Sequence, residues 1–185
     1  MMDMMERDAL LLKLVEKLKA HGSWCGETHV QKATYLLQTL LKVPLGFDFI
    51  LYKHGPFSFE LKDELTELRA DTLLAWQERP DPYGNSLMVA PLGEHLVEGL
   101  KEEITPYDKQ IEFVASIVNT QGVKELEKLA TAYYVKNTCG NNSYEEQVKI
   151  LCQLKPHITI DEARQAVIAI DEIIQDITRK KIIPT

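Results

Sequence analysis

The segment from Phe47 to Leu61, FDFILYKHGPFSFEL, constrains the fold more than any other part of the chain. An apolar strand is predicted at residues 47–52, followed by a turn at Gly55 and Pro56 and then by a helix. Gly55 permits backbone conformations that other residues avoid, and Pro56 fixes its own φ while pushing the preceding residue towards an extended conformation. Ser58 is placed to cap the helix that follows. The chain therefore turns a sharp corner between an aromatic segment and a helix.

The elements around this corner follow from hydrophobic periodicity. Helices are predicted at residues 4–20, 28–41 and 59–69, and strands at residues 72–77 and 86–90. Thr28 and Gln31 form a capping box at the start of the second helix. A turn at residues 80–85 joins the two strands into a hairpin. Three helices followed by a hairpin are typical of a winged helix.

The second part of the chain, residues 105–185, is predicted to be entirely helical. Thr105 is placed as an N-cap and Pro106 as the first helical residue, which marks a boundary. Two further capping boxes mark later helix starts, Ser143 with Glu146 and Thr159 with Glu162. The predicted fold class is mainly α with a small β-hairpin: a winged-helix-like part at residues 1–104, followed by a C-terminal helical bundle packed on it.

The last helix carries an apolar seam with two interpretations. Its residues alternate in steps of three and four, at Ile160, Ala163, Val167, Ile170, Ile174 and Ile177. Such a seam can join two subunits as a coiled coil. Ile168 and Ile173 add apolar surface outside the seam, which favours a helix enclosed by neighbours within one chain. A homodimer through this helix is the alternative.

Composition narrows the classes of partner. The chain has 185 residues, 45% of them hydrophobic, which is enough for a core, and its net charge is −7. That charge opposes non-specific attraction to nucleic acid or to anionic membranes. The short apolar run at residues 9–12 is too short for a signal peptide or a spanning helix. No membrane association is expected, and the predicted location is the cytoplasm.

Charge also bears on DNA binding by the predicted winged helix. The third helix with its flanks, residues 58–71, has a net charge of −3, and residues 1–104 have −6 against −1 for residues 105–185. A helix that enters the major groove needs positive charge to neutralise phosphates. Nucleic acid is therefore not the expected partner, and an acidic face suits a basic protein if it is more than a solvated surface. A DNA-binding winged-helix regulator acting as a dimer is the alternative.

Metal and redox chemistry have little support in the sequence. His21, Cys25 and His29 recur every four residues, and each side chain can bind zinc. Gly22 and Gly26 interrupt any helix that would align them, and a fourth ligand is not in view. The three cysteines form no Cys-x-x-Cys pair. No metal site and no disulfide are predicted.

Catalysis has one weak candidate. His54, beside Tyr52 and Lys53, is suited to act as a general acid or base, but a single histidine in a turn more often bonds the backbone. No Gly-rich phosphate loop and no nucleophile at a recognisable spacing accompany it. The sequence therefore predicts neither an enzyme nor a cofactor.

Two motifs carry a resemblance to a known family. A helix with Gln31, Lys32, Tyr35, Leu36 and Leu37 precedes the pattern Tyr-x-x-Gly-Pro-Phe-Ser-x-x-Leu at residues 52–61. The pair, within residues 9–100, resembles the YwgA-like and Panacea-type domains of bacterial proteins, including SocA-type antitoxins and the C-terminal region of DarG-type antitoxins. Residues 105–185 do not match that family.

The resemblance implies a non-catalytic function. It implies a compact, partly winged-helix module without a cofactor that binds another protein and often neutralises a toxin. In the DarG-like case the domain is thought to imitate DNA, which agrees with the acidic helix. The chain is thus predicted to be a non-enzymatic antitoxin or defence component that binds a basic or nucleic-acid-binding toxin or effector. The predicted docking residues are Tyr52, Lys53, His54, Phe57, Phe59, Glu60, Glu64 and Glu67.

Overall fold

Two short antiparallel hairpins lie among the helices in the computed structural model, which describes residues 2–78, 84–119, 121–140 and 142–183. In chain order the elements are α1 (Met4–Ala20), α2 (Glu27–Tyr35), β1 (Ile50–Tyr52), β2 (Gly55–Phe57), α3 (Phe59–Ala70), β3 (Leu74–Gln77), β4 (Ser86–Val89), α4 (Pro91–Gly99), α5 (Lys101–Ile104), α6 (Asp108–Val118), α7 (Val123–Thr138), α8 (Tyr144–Leu154) and α9 (Ile160–Lys180). The predicted fold class, mainly α with little β-structure, is confirmed.

Helix α1 is deeply buried in the N-terminal part of the chain, residues 1–104. Its apolar side chains from Ala9 to Leu18 lie fully inside the core. It contacts α2, α4, α6 and β4, while α7 packs against α2 and β2. A single cluster of buried side chains has members from Ala9 to Ile177, so residues from both parts of the chain share one core. Among the described residues, no helix combines the length and the apolar character needed to cross a membrane.

The start of α2 differs from the prediction. The helix begins at Glu27 with Gly26 as its extended N-cap, so Thr28 lies inside the first turn. The predicted capping box is wrong because the Gln31 side chain is buried and bonds the backbone of Ser58 instead. At its other end α2 continues into a π-helical turn, Leu36–Leu40.

The predicted strand at residues 47–52 is shorter than expected. Only Ile50–Tyr52 forms a strand, because both backbone groups of Phe47 bond the Gln38 side chain, at 2.7 and 2.8 Å. The predicted turn at Gly55 and Pro56 is also wrong. These residues belong to β2, which pairs with β1 through Tyr52↔Gly55, and the hairpin turns at the two residues between them.

Helix α3 and the second hairpin follow the sequence closely. The Ser58 hydroxyl accepts a hydrogen bond from the Leu61 N–H at 3.2 Å, which confirms the predicted cap. Strands β3 and β4 pair from Leu74↔Val89 to Gln77↔Ser86 and are slightly shorter than predicted. The predicted turn at residues 80–85 lies largely outside the described residues.

The boundary at Thr105 has a different local structure from the predicted cap. Thr105–Tyr107 forms a 3₁₀ turn between α5 and α6, and the Thr105 hydroxyl donates to the Lys101 carbonyl at 2.6 Å. Thr105 is therefore not an N-cap, because its hydroxyl is engaged by the preceding turn. The capping boxes at the starts of α8 and α9 are both confirmed.

Most of the apolar seam of α9 is buried within the single chain. Ala163, Val167, Ile170 and Ile177 are covered by packing against α7 and α8. This agrees with the intramolecular interpretation. Ile168 remains 48% exposed on the outer side of the helix, and a homodimer through α9 stays a prediction.

Candidate functional site

The hairpin β1–β2 displays an aromatic cluster on its outer face. The ring centroids of Tyr52, Phe57 and Phe59 lie 5.1 to 5.7 Å apart in all three pairings. Tyr52 is 45% exposed and Phe59 is 52% exposed. Because side chains alternate along a strand, Ile50 lies on the same face as Tyr52, and it is 48% exposed. Four neighbouring apolar side chains therefore meet solvent.

Exposed carboxylates continue this face along α3. Glu60, Asp63 and Glu67 are exposed, and they stand three or four residues apart, so they line one side of the helix beyond Phe59. Glu60 also accepts a hydrogen bond from the Asp48 N–H at 3.2 Å. We call the combined patch the aromatic–acidic surface. Its members are Ile50, Tyr52, Phe57, Phe59, Glu60, Asp63 and Glu67.

Glu64, another predicted docking residue, is placed differently. Its side chain is 13% exposed and forms a bidentate ion pair with Arg7 of α1, with Nη2–Oε2 at 2.7 Å and Nε–Oε1 at 3.0 Å. Burial raises the pKa of the adjacent Asp8 to about 7, and its hydrogen bond to Glu64 adds to the rise. Glu64 therefore joins α1 to α3 and contributes little to the outer face.

We expect Asp8→Asn to stabilise the protein at neutral pH. The folded state holds the Asp8 proton more tightly than the unfolded chain, so this group stabilises below about pH 4, and that stability is lost as pH rises towards 7. Discounted for half exposure, the gain above pH 7 is on the order of 2 kcal/mol. Urea unfolding of the two proteins at about pH 4.5 and about pH 8, below and above the Asp8 pKa in the folded state, measures the difference.

The control for this substitution is Asp63→Asn, which changes an exposed carboxylate on α3. It is expected to leave the pH dependence unchanged, since Asp63 lies outside the Asp8–Glu64 pair. A difference between wild type and Asp8→Asn that does not grow with pH would contradict a shared proton at the α1–α3 contact.

Beneath the hairpin, the two motifs of the family resemblance contact each other directly. The Gln31 side chain clamps Ser58, donating to its carbonyl at 2.9 Å and accepting from its N–H at 3.0 Å. The neighbouring Lys32 ammonium donates to the Pro56 carbonyl at 2.8 Å, and this lysine is only 1% exposed. Two polar side chains of α2 therefore position the backbone between β2 and α3.

A second lysine holds the other strand of the hairpin. Lys155, which directly follows α8, donates to the Tyr52 carbonyl at 2.7 Å and to the carbonyl of Lys53. Its ammonium lies 3.2 Å from Oε1 of Glu127 on α7, and both side chains are nearly buried. We call Lys32, Glu127 and Lys155 the buried charge cluster. It ties the hairpin to the C-terminal helices.

The buried charge cluster contains two basic side chains and one acidic side chain. Burial lowers the pKa of Lys32 to about 8; the negative charge of Glu127 opposes that effect, and the positive charge of Lys155 adds to it. Two lysines share one buried carboxylate, so loss of Glu127 or of one lysine changes the charge balance beneath the hairpin.

Two histidines approach Glu127 from outside. His54 of the hairpin turn places Nδ1 at 3.5 Å from Oε2, and His157 of the α8–α9 loop places Nε2 at 3.4 Å from Oε1. Both histidines are more than half exposed. They border a cleft of about 690 Å³ that also includes Lys53 and the starts of α7 and α9. The predicted residues Lys53 and His54 therefore face this cleft.

Sequence reasoning missed Glu127, Lys155 and the role of Lys32. Lys32 offered one signal, since it belongs to the motif of Gln31, Lys32 and Tyr35 that carries the family resemblance. Glu127 lies in α7 and Lys155 directly follows α8. The sequence of that region was interpreted only through apolar spacing and helix caps. Their meeting depends on how α7 and α8 pack against the hairpin.

The three residues with zinc-like spacing in the sequence, His21, Cys25 and His29, each contact a different group. His21 pairs with Glu112 at 2.5 Å, Cys25 is buried against the Val15 carbonyl, and His29 contacts the Gln121 carbonyl at 3.2 Å. The described part of the chain holds no group of three or more His, Cys, Asp or Glu side chains arranged for a metal ion.

The family resemblance rests on the two motifs alone. Neither a scan against protein-family models nor a search of curated proteins finds a match for this chain. The evidence on function therefore comes from the aromatic–acidic surface, the buried charge cluster and the cleft.

Proposed function

We propose that the chain is a non-enzymatic regulatory module that binds a basic partner protein through the aromatic–acidic surface. The observation that carries the proposal is the group of three mutually contacting aromatic rings, two of them about half exposed, beside a row of exposed carboxylates. Contiguous exposed apolar patches on soluble proteins mark interaction sites. Tyrosine and other aromatic residues are enriched at interface cores and among the residues that dominate binding energy.

The support beneath the hairpin favours a preformed surface. Gln31, Lys32 and Lys155 bond the backbone of the segment from Tyr52 to Ser58, so the aromatic rings project from an anchored hairpin. A surface that is ordered before binding loses less conformational entropy on association. The two motifs are thus suited to one task, which is to hold and present this face.

The negative charge of the aromatic–acidic surface indicates which kind of partner it binds. Glu60, Asp63 and Glu67 present negative charge beside the rings, which attracts a basic surface and steers its approach. The same charges repel phosphate. The DNA-binding alternative requires α3 to enter a DNA groove, and this repulsion opposes it. A basic toxin or effector that itself binds nucleic acid is the proposed partner, and the antitoxin or defence setting comes from the motif resemblance.

The aromatic rings are expected to dominate the affinity. The chain would be co-expressed with the product of its adjacent gene, and the purified complex measured by calorimetry. Tyr52→Ala and Phe59→Ala should each weaken binding at least about tenfold, since interface aromatics of this kind contribute roughly 2 kcal/mol. The matched control is Ile168→Ala, an exposed apolar residue on α9, which should leave the affinity unchanged.

Charge reversal tests the acidic part of the surface separately. Glu60→Lys combined with Glu67→Lys should slow association and flatten its salt dependence, whereas Glu172→Lys on the exposed side of α9 should do neither. Failure to form a complex, or affinity that responds to the control variants and not to the surface variants, would overturn the proposal.

A further inference from the structure

We propose that the cleft between the hairpin turn and the starts of α7 and α9 binds a small phosphate ester that carries hydroxyl groups. Its volume of about 690 Å³ lies within the usual range for small-molecule sites. Val123 and Ile158 give it apolar walls, while lysines and histidines surround them. This inference is independent of the proposed docking function, because it concerns a different face of the hairpin.

Lysine and histidine side chains line the cleft, although the net charge of the whole chain is negative. Lys53 and Lys124 border it and are exposed, and within the described ranges neither forms an ion pair. His54 and His157 stand at its edge with one ring nitrogen each towards Glu127, which leaves the other nitrogen of each ring available. Ammonium and imidazole N–H groups are suitable donors to phosphate oxygens.

Two carboxylates share the cleft, and both are held by cations. Glu127 lies 3.2 Å from the Lys155 ammonium. Glu162 lies 3.1 Å from Lys128 and accepts hydrogen bonds from the N–H and hydroxyl of Thr159, both at 2.9 Å. These contacts offset the repulsion that the two carboxylates would exert on an anion.

Glu127 also indicates what accompanies the phosphate. Its carboxylate lines the cleft, with the Lys155 ammonium 3.2 Å and His157 Nε2 3.4 Å from Oε1 and with His54 Nδ1 3.5 Å from Oε2. A carboxylate accepts several hydrogen bonds, so one that lines a cleft can also receive a donor from a ligand. A ligand hydroxyl supplies one, and the phosphate of the same ligand reaches the lysines. The combination favours a hydroxylated phosphate ester over phosphate alone.

Calorimetry of the full chain with ribose 5-phosphate, inorganic phosphate and ribose tests this directly. Ribose 5-phosphate should bind at least about tenfold more tightly than inorganic phosphate, and ribose should not bind measurably. Lys53→Ala and Lys124→Ala should each weaken ribose 5-phosphate about fivefold, whereas Lys62→Ala, an exposed lysine on α3, should not. No binding at millimolar concentration, or equal losses with the control, would overturn the proposal.

A further variant separates the two halves of the ligand. Glu127→Met, which leaves no acceptor oxygen at this position, should remove the advantage of ribose 5-phosphate over inorganic phosphate while keeping phosphate binding. Since that variant alters the buried charge cluster, His157→Ala, a change at an exposed side chain, provides a second test and should weaken both ligands about threefold. An unchanged preference in a Glu127→Met variant that is shown to be folded by circular dichroism would contradict the assignment of the Glu127 carboxylate to a ligand hydroxyl.

Discussion

Lys155→Met is expected to lower the free energy of unfolding by about 3 kcal/mol. The substitution removes the ammonium that donates to the carbonyls of Tyr52 and Lys53 and that pairs with Glu127 at 3.2 Å. Glu127, only 6% exposed, then loses its nearest buried cation. Removing one partner of a buried ion pair leaves an uncompensated charge, which costs more than the pair itself contributes.

Urea unfolding followed by circular dichroism measures this loss. The matched control is Lys149→Met on the exposed side of α8, which should change the free energy of unfolding by less than about 0.5 kcal/mol. If the two variants were equally stable, Lys155 would not be an anchor of the hairpin, and the buried charge cluster would lose its structural role.

Gly55→Ala is expected to cost about 2 to 3 kcal/mol, the second-largest effect. Gly55 has a φ of +87°, and a Cβ there would lie 3.0 Å from Thr131 Oγ1 and 3.4 Å from Lys32 Cε. The substitution therefore adds a steric conflict with α7 and α2 to the cost of a left-handed backbone. Both effects act where the hairpin rests on the buried charge cluster.

Gly46→Ala separates these two contributions. Gly46 has a φ of +83°, yet a Cβ at that position meets nothing within 4 Å, so only the backbone cost of about 1 kcal/mol is expected. The difference between the two variants, measured by urea unfolding, reports the close approach of Gly55 to α7. Equal losses would mean that the hairpin moves away from α7 without cost.

Local patterns predicted the helices well because their causes lie within a few residues. The Ser58 cap and the capping boxes of α8 and α9 depend on contacts three residues apart, and all are present. The Thr28 capping box failed for the opposite reason. Gln31, its second member, bonds the distant Ser58, and a buried tertiary contact of this kind overrides a local preference.

The first hairpin shows the same limit. The sequence indicated an apolar strand and a permissive glycine, but it did not show that Gly55 and Pro56 would pair with β1. Three-residue strands carry too few residues for alternation to identify them. Their pairing is supported by Lys32 and Lys155, which come from α2 and from the end of α8.

In the candidate site, too, some of the predicted residues come together and others do not. Tyr52, Phe57 and Phe59 are predicted as docking residues from the motif that carries the family resemblance, and the structure brings the three rings into contact. Glu64 was predicted as a member of the same face, yet Arg7 draws it to the α1–α3 contact. A charge count along a helix reports composition and does not show which carboxylates another helix will engage.

By itself, the sequence determined a mainly helical chain, the start of α3 at its Ser58 cap and the acidic character of that helix. Each depends on residue types at spacings of two to four positions, where backbone geometry dictates which side chains share a face. Only the tertiary structure decided that Lys32, Glu127 and Lys155 meet beneath the hairpin. Burying the apolar faces of α2 and α7 against one core brings these charges together, and no local pattern encodes that contact.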